Sequence, residues 1–262
     1  MALARAALET LLRARQLDRT LTTADPVPAS DDEYAIGPTA VDTLDVRLGG
    51  GFPRGQLSEV IGARTSGRTS VLVRMLAAAT RRGELAAVVD ALDMLDVASL
   101  EAAGVVLERL LWIRGYVTTN PGGARERNQR AMEQALRALA LVLQAGNFGL
   151  VVLDVAEAPV ETVRRLPFTT WLRLQRMVEG TQTIALLVGG VPMARSAAGL
   201  TVKLEARSAA PAASRSVEQT DRGAGGAQLL PRLDVEGRIV RARMGGPDDT
   251  PARFTTEVHV HV

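Results

Sequence analysis

The eight residues Gly62-Ala-Arg-Thr-Ser-Gly-Arg-Thr69 constrain this chain more than any other stretch. An apolar run at residues 56–61 precedes them and an Ala/Leu-rich run at residues 70–80 follows, which predicts a strand, a loop and a helix in that order. A strand leading through a tight loop into a helix is the repeating unit of parallel α/β sheets, because parallel neighbours need a crossover. The spacing fits the phosphate-loop pattern G-x-x-x-x-G-K-[ST] at every defined position but one. In such a loop, successive backbone N–H groups and the helix N-terminus cradle phosphate. Gly62, Gly67, Arg68, Thr69 and Ser70 are therefore the candidate phosphate-binding residues, with Thr69 placed to hold Mg²⁺ through its hydroxyl. Position 68 is Arg where the pattern has Lys. A guanidinium is broad and planar and an ammonium is compact, so the exchange is not conservative. The competing reading is a glycine-rich turn that binds nothing.

The rest of the chain repeats the alternation. Short apolar runs at 85–90, 109–114, 148–154 and 183–188 read as buried strands, separated by helices at 95–103, 125–144 and 169–179. This predicts a doubly wound, mostly parallel sheet. After Gly199 the stretches 200–206, 238–244 and 254–262 alternate apolar and polar residues, as half-exposed antiparallel strands do. Residues 207–226, rich in Ala, Ser and Gly, read as a flexible insertion. Upstream, residues 2–21 form an expected helix with Leu3, Leu8, Leu11, Leu12 and Leu17 on one broad face, and 24–32 form a linker. The expected division is thus an N-terminal helix and linker at 1–34 and a core at 35–262.

Composition narrows the classes. There is no cysteine, hence no disulfide framework, thiolate metal site or cysteine nucleophile. No apolar run is long enough to span a bilayer and no signal-peptide pattern opens the chain, so a cytoplasmic protein without a membrane partner is expected. The net charge is only +2, and Lys203 is the sole lysine among 31 basic residues. In so arginine-rich a chain a lone Arg is poor evidence of phosphate recognition, and charge neither requires nor excludes nucleic acid.

Several segments, in order, resemble the core of the RecA recombinase family. Asp42-Thr-Leu-Asp-Val-Arg-Leu-Gly-Gly-Gly-Phe-Pro-Arg-Gly55 is similar to the family's approach to its phosphate-loop strand. Val88-Val-Asp-Ala-Leu92 looks like its strand ending in Asp-Ala-Glu, and Leu150-Val-Val-Leu-Asp154 like its Walker B strand. The tail from Arg238 to Val262 resembles its closing hairpin. The resemblance runs from about Ala35 to the end, with the helix at 2–21 in the place of an N-terminal packing helix. It implies ATP with Mg²⁺ as the ligand, Asp154 and Thr69 as the metal-side residues, homo-oligomers, and single-stranded DNA as a further partner.

The departures from that pattern fall on the hydrolysis machinery. The family's Glu that positions the attacking water is Leu92 here, which neither orients water nor accepts a proton. Asp93 is one residue on, and on an extended segment its side chain points elsewhere. The family's γ-phosphate-sensing Gln is replaced by Gly190 in Leu186-Leu-Val-Gly-Gly190. Stretches 155–169 and 191–200 look too short for the two DNA-gripping loops. Among RecA relatives the chain looks most like the ImuA-type accessory proteins of translesion synthesis. That resemblance implies a non-hydrolysing scaffold in SOS-type damage tolerance, with partners in the RecA recombinase and a Y-family polymerase-like protein. An active DNA-dependent ATPase using Arg68, and a small-molecule kinase, are the alternatives.

Other residues carry plainer readings. His259 and His261 share a strand face but lack the third and fourth ligands a metal site wants. Arg164, Arg165, Arg173 and Arg176, like Arg125, Arg127, Arg130 and Arg137, are read as solvated helix faces rather than phosphate contacts. Trp112 and Trp171 are expected to anchor core or interface.

Overall fold

Runs of Val, Leu, Ile and Ala too short for helices bury their backbone polar groups by pairing into a sheet. The computed structural model describes residues 35–117, 125–209, 233–243 and 250–256. Two short strands, β1 (Ile36–Gly37) and β2 (Phe52–Pro53), pair antiparallel on either side of helix α1 (Asp42–Arg47). The main strands are β3 (Gln56–Gly62), β4 (Ala86–Asp90), β5 (Leu110–Arg114), β6 (Leu150–Asp154), β7 (Ile184–Gly189), β8 (Leu200–Ala209), β9 (Leu233–Ala242) and β10 (Ala252–Thr256). They form one sheet in the order β10-β9-β8-β3-β7-β6-β4-β5. Pairing is parallel from β8 through β5, and antiparallel between β8 and β9 and between β9 and β10.

Side-chain alternation divides the core between the two sheet faces. Val88, Val152, Leu186 and Val202 face helix α2 (Arg68–Arg81), where they meet Leu72, Met75 and Leu76, with α1 and α3 (Val97–Ala102) alongside. Ala87, Val89, Val151, Leu153, Ala185 and Leu187 face the opposite way. They pack on α4 (Arg125–Ala145), α5 (Val160–Arg164) and α6 (Phe168–Val178) through Met132, Leu136, Leu139, Val163, Trp171 and Leu174. Each fully buried Leu among these stabilises by about 1.5–3 kcal/mol. The layering is helix, sheet, helix. The register brings Asp90 beside Asp154 and Ile61 beside Gly189, so the carboxyl ends of β3, β7, β6 and β4 open on one edge. In open α/β sheets that edge is where ligands bind.

The α/β class and the antiparallel C-terminal strands agree with the sequence reading, with several local corrections. The strand expected at 200–206 runs on to Ala209, and it is antiparallel only to β9, pairing parallel with β3 on its other side. It thereby takes in the first three residues of the stretch expected as an insertion; 210–226 lie outside the described residues. The strand expected at 238–244 begins five residues earlier, at Leu233. The helix at 2–21, the linker at 24–32, and His259 and His261 also lie outside the described residues. Helices α1 and α5 were not anticipated. Among the described residues no helix is long and apolar enough to cross a membrane.

Candidate phosphate-loop site

Between β3 and α2 the chain turns with the backbone a phosphate loop requires. Gly67 sits at φ +85°, a conformation strained for any side chain, and a Cβ there would lie 2.6 Å from Cγ2 of Val235. At Gly62 a Cβ would lie 2.6 Å from the carbonyl oxygen of Leu204. Both glycines of the motif are thus demanded by the fold itself. The Ser66 N–H donates to the Ala63 carbonyl at 3.0 Å and closes the turn. Gly67 is the N-cap of α2, so the first-turn N–H groups of Arg68, Thr69 and Ser70 precede any intrahelical acceptor.

Arg68 does not project into open space. It is 3% exposed, and its guanidinium donates through Nη1 to the Gly62 carbonyl and through Nη2 to the carboxylate of Glu157. Glu157 lies three residues beyond the end of β6 and also pairs with Arg64, whose Nε is 3.6 Å from Oε2. The buried Nε of Arg68 and Oγ of Ser66 find no hydrogen-bond partner among the described residues.

A cleft of about 210 Å³ lies next to the loop. Its lining combines apolar Leu92, Met94 and Leu95 with polar and charged Thr69, Asp90, Asp154, Glu157 and Arg64. Burial pushes the Asp154 carboxyl up to about 6, helped by the charges of Asp90 and Glu157 and opposed by the Ala156 N–H and Arg68. The Ala156 N–H donates to Asp154 Oδ1 at 2.9 Å. Asp90 Oδ2 accepts from the Leu95 N–H at 2.9 Å and from Trp112 Nε1 at 3.3 Å.

Of the residues singled out from sequence, Thr69 and Asp154 meet in this cleft, Gly62, Gly67 and Arg68 build the loop beside it, and Ser70 is half-buried on α2 away from the cleft lining. Leu92 lines the cleft and packs on the α4–α6 side of the core, where its methyls offer nothing to a water molecule. Asp93 does not replace it. At φ +59° its carboxylate turns to Arg114, taking two hydrogen bonds of 2.6 Å that hold it below the usual carboxylate range. That guanidinium in turn lies 5.0 Å from the centroid of the Trp112 ring, while Trp171 is buried in the core. Arg164, Arg165, Arg173 and Arg176 are exposed on and beside α5 and α6, and Arg164 pairs with Glu161 at 3.5 Å.

The stretch 155–169 holds α5 and the start of α6, joined by turns at 155–159 and 165–167. The stretch 191–200 is tied down by Glu59, whose Oε1 accepts from the N–H groups of Met193 and Ala194 at 2.8 and 2.7 Å. Glu157 and Glu59 were missed from sequence, while Arg64 and Asp90 were read only as parts of the loop and of a strand end. Glu157 left one signal, an acid three residues past the candidate Asp154.

The loop fits a nucleotide's phosphates in backbone shape, and Thr69 with Asp154 would hold Mg²⁺, but the charge that would meet the phosphates is not free. The glycine geometry and the Thr69–Asp154 placement match a phosphate cradle. The buried Arg68 is already paired with Glu157, and the cleft lining carries three acids that would repel an uncomplexed phosphate. Among the described residues no group of three or more His, Asp or Glu is placed to hold a metal ion.

A model of the RecA N-terminal domain matches residues 30–164, just over half of the chain. The chain belongs to the RecA family. The protein named RecA from Clavibacter michiganensis is 34% identical over 157 residues, 58% of this chain and 39% of its own length. Its namesake from Salinispora tropica is 36% identical over 129 residues, 49% of this chain and 33% of that protein. RecA of Prochlorococcus marinus reaches 45% identity over 74 residues, 28% of this chain and 20% of that protein. The chain thus spans well under half the length of these RecA relatives.

Proposed function

We propose that this RecA-family chain is a scaffold protein in SOS-type DNA-damage tolerance, acting in translesion synthesis without hydrolysing ATP. The observation that carries the reading is Leu92: the position that faces the cleft from the end of β4 is an aliphatic side chain packed into the core. Gly190 adds nothing that senses a phosphate, and Asp93 is held by Arg114 instead of facing the cleft. The fold remains intact around this loss, as expected where a RecA core is kept for the surfaces it presents. The partners proposed are a RecA recombinase and a Y-family polymerase-like protein, with single-stranded DNA and self-association as further contacts. ATP with Mg²⁺ is at most a weak ligand in this reading.

Purified chain immobilised on a sensor surface, with purified RecA and a purified Y-family polymerase-like protein passed over it, tests the proposal. Saturable binding of either partner, unchanged by ATP, is the expected result; absence of binding to both would count against the scaffold role. The glycine geometry of the loop favours a second reading, an active RecA-type DNA-dependent ATPase, which predicts binding that depends on nucleotide.

A further inference from the structure

The arginines of the loop that resembles a phosphate cradle already hold an anion, and the chain supplies it. Arg68 runs from the Gly62 carbonyl, at the first residue of the loop, to the Glu157 carboxylate on the segment after β6. At 3% exposure the guanidinium is closed off from solvent, with Nη1 and Nη2 both taken. Glu157 also reaches Arg64 at 3.6 Å, so a single carboxylate engages both cations of the loop. A carboxylate and a phosphate present the same kind of paired oxygens to an arginine fork and compete for it. Being tethered, Glu157 competes at an effective concentration in the millimolar range or above. Asp90 and Asp154, also in the cleft lining, further repel a polyphosphate that arrives without a cation.

We infer that Glu157 is an internal counter-anion that closes the phosphate loop against nucleotide, and that a phosphate enters only when Glu157 leaves Arg68. This separates two losses that turnover measurements merge. Leu92 removes the chemistry; Glu157 removes the binding. The inference concerns the same loop as the scaffold proposal, but it is read in ligand affinity, whereas that proposal is read in turnover and partner capture. A failure of one therefore leaves the other standing.

The test compares wild type with Glu157→Gln and Glu157→Ala in the full chain. Calorimetric titrations with Mg·ATP and separately with inorganic pyrophosphate give the affinities, and near-ultraviolet circular dichroism checks the fold. Glu157→Gln keeps the shape and an acceptor oxygen for Arg68 while deleting the charge, so it remains informative if the Ala variant unfolds. Hydrogen bonds to charged groups have the strength to shift such an equilibrium about ten- to hundredfold. The expected result is that both variants bind pyrophosphate and Mg·ATP tighter than wild type by that factor, and that adding Arg68→Ala abolishes the gain. Equal affinity of wild type and Glu157→Gln within twofold, absence of binding by either at millimolar ligand, or a gain that survives Arg68→Ala would each overturn the inference.

Discussion

Removing Glu59 should loosen the segment after β7 far more than it disturbs the rest of the sheet. Glu59 is 1% exposed on β3, in the middle of the parallel region. Its Oε1 accepts from Met193 and Ala194 N–H at 2.8 and 2.7 Å, and its Oε2 from the Thr201 hydroxyl at 3.0 Å. Glu59→Ala leaves three buried donors without an acceptor, at about 1–3 kcal/mol each. Part of that is offset because a buried carboxylate no longer has to be desolvated, and water can reach some of the donors. A net loss of about 3–5 kcal/mol is expected. Glu59→Gln retains one acceptor oxygen for the two backbone donors, so its cost should be about 1 kcal/mol. Urea unfolding gives both values, and hydrogen exchange followed by mass spectrometry localises the effect. Amides of residues 191–199 should exchange faster in Glu59→Ala while those of β4 and β6 keep their protection relative to global stability. A loss below about 1 kcal/mol for Glu59→Ala, or unchanged exchange at 191–199, would refute the view that Glu59 fixes this segment.

Two further outcomes are expected. The raised Asp154 carboxyl, about 6 against an ordinary 3.8, means the folded state binds a proton that the unfolded state releases between those values, so this residue costs stability as pH rises through that window. Asp154→Asn should match wild type below about pH 4 and exceed it by up to about 3 kcal/mol above pH 7, as read from urea unfolding across pH; equal stability at pH 7.5 would contradict the burial argument. At the N-terminus, outside the described residues, Leu8→Asp with Leu12→Asp should weaken self-association or RecA binding while the thermal unfolding of the core is kept, and a collapse of both together would place those leucines in the core.

The parts of the fold that sequence revealed are those with a period. Residues 148–154 and 183–188 are runs that only a strand buried on both faces tolerates, and α4 carries Met132, Leu136, Leu139 and Leu143 on one helical stripe. Helix α5 has only five residues, too few for a period to declare itself, and its Val163 is ordered by packing against the core. The parallel pairing of β8 was hidden because Lys203 and Glu205 to Arg207 are exposed, which is the pattern of an antiparallel edge. At the site, the loop glycines and Asp154 were legible because motif spacing is local. The Arg68–Glu157 pair was not, since its members are 89 residues apart and meet only when β3 and β6 take their places in the sheet. Glu59 was hidden for the same reason: an acid inside an apolar strand shows its purpose only when its partners at Met193, Ala194 and Thr201 arrive.

Phosphate release from Mg·ATP by the purified chain, with and without single-stranded DNA, tests the central claim most directly. With an aliphatic side chain at position 92, the loss of a water-orienting or proton-accepting group alone costs about 10²–10⁴-fold in rate. The account predicts turnover indistinguishable from that of Arg68→Ala, whether or not DNA is added. Turnover that DNA stimulates and Arg68→Ala abolishes would contradict it.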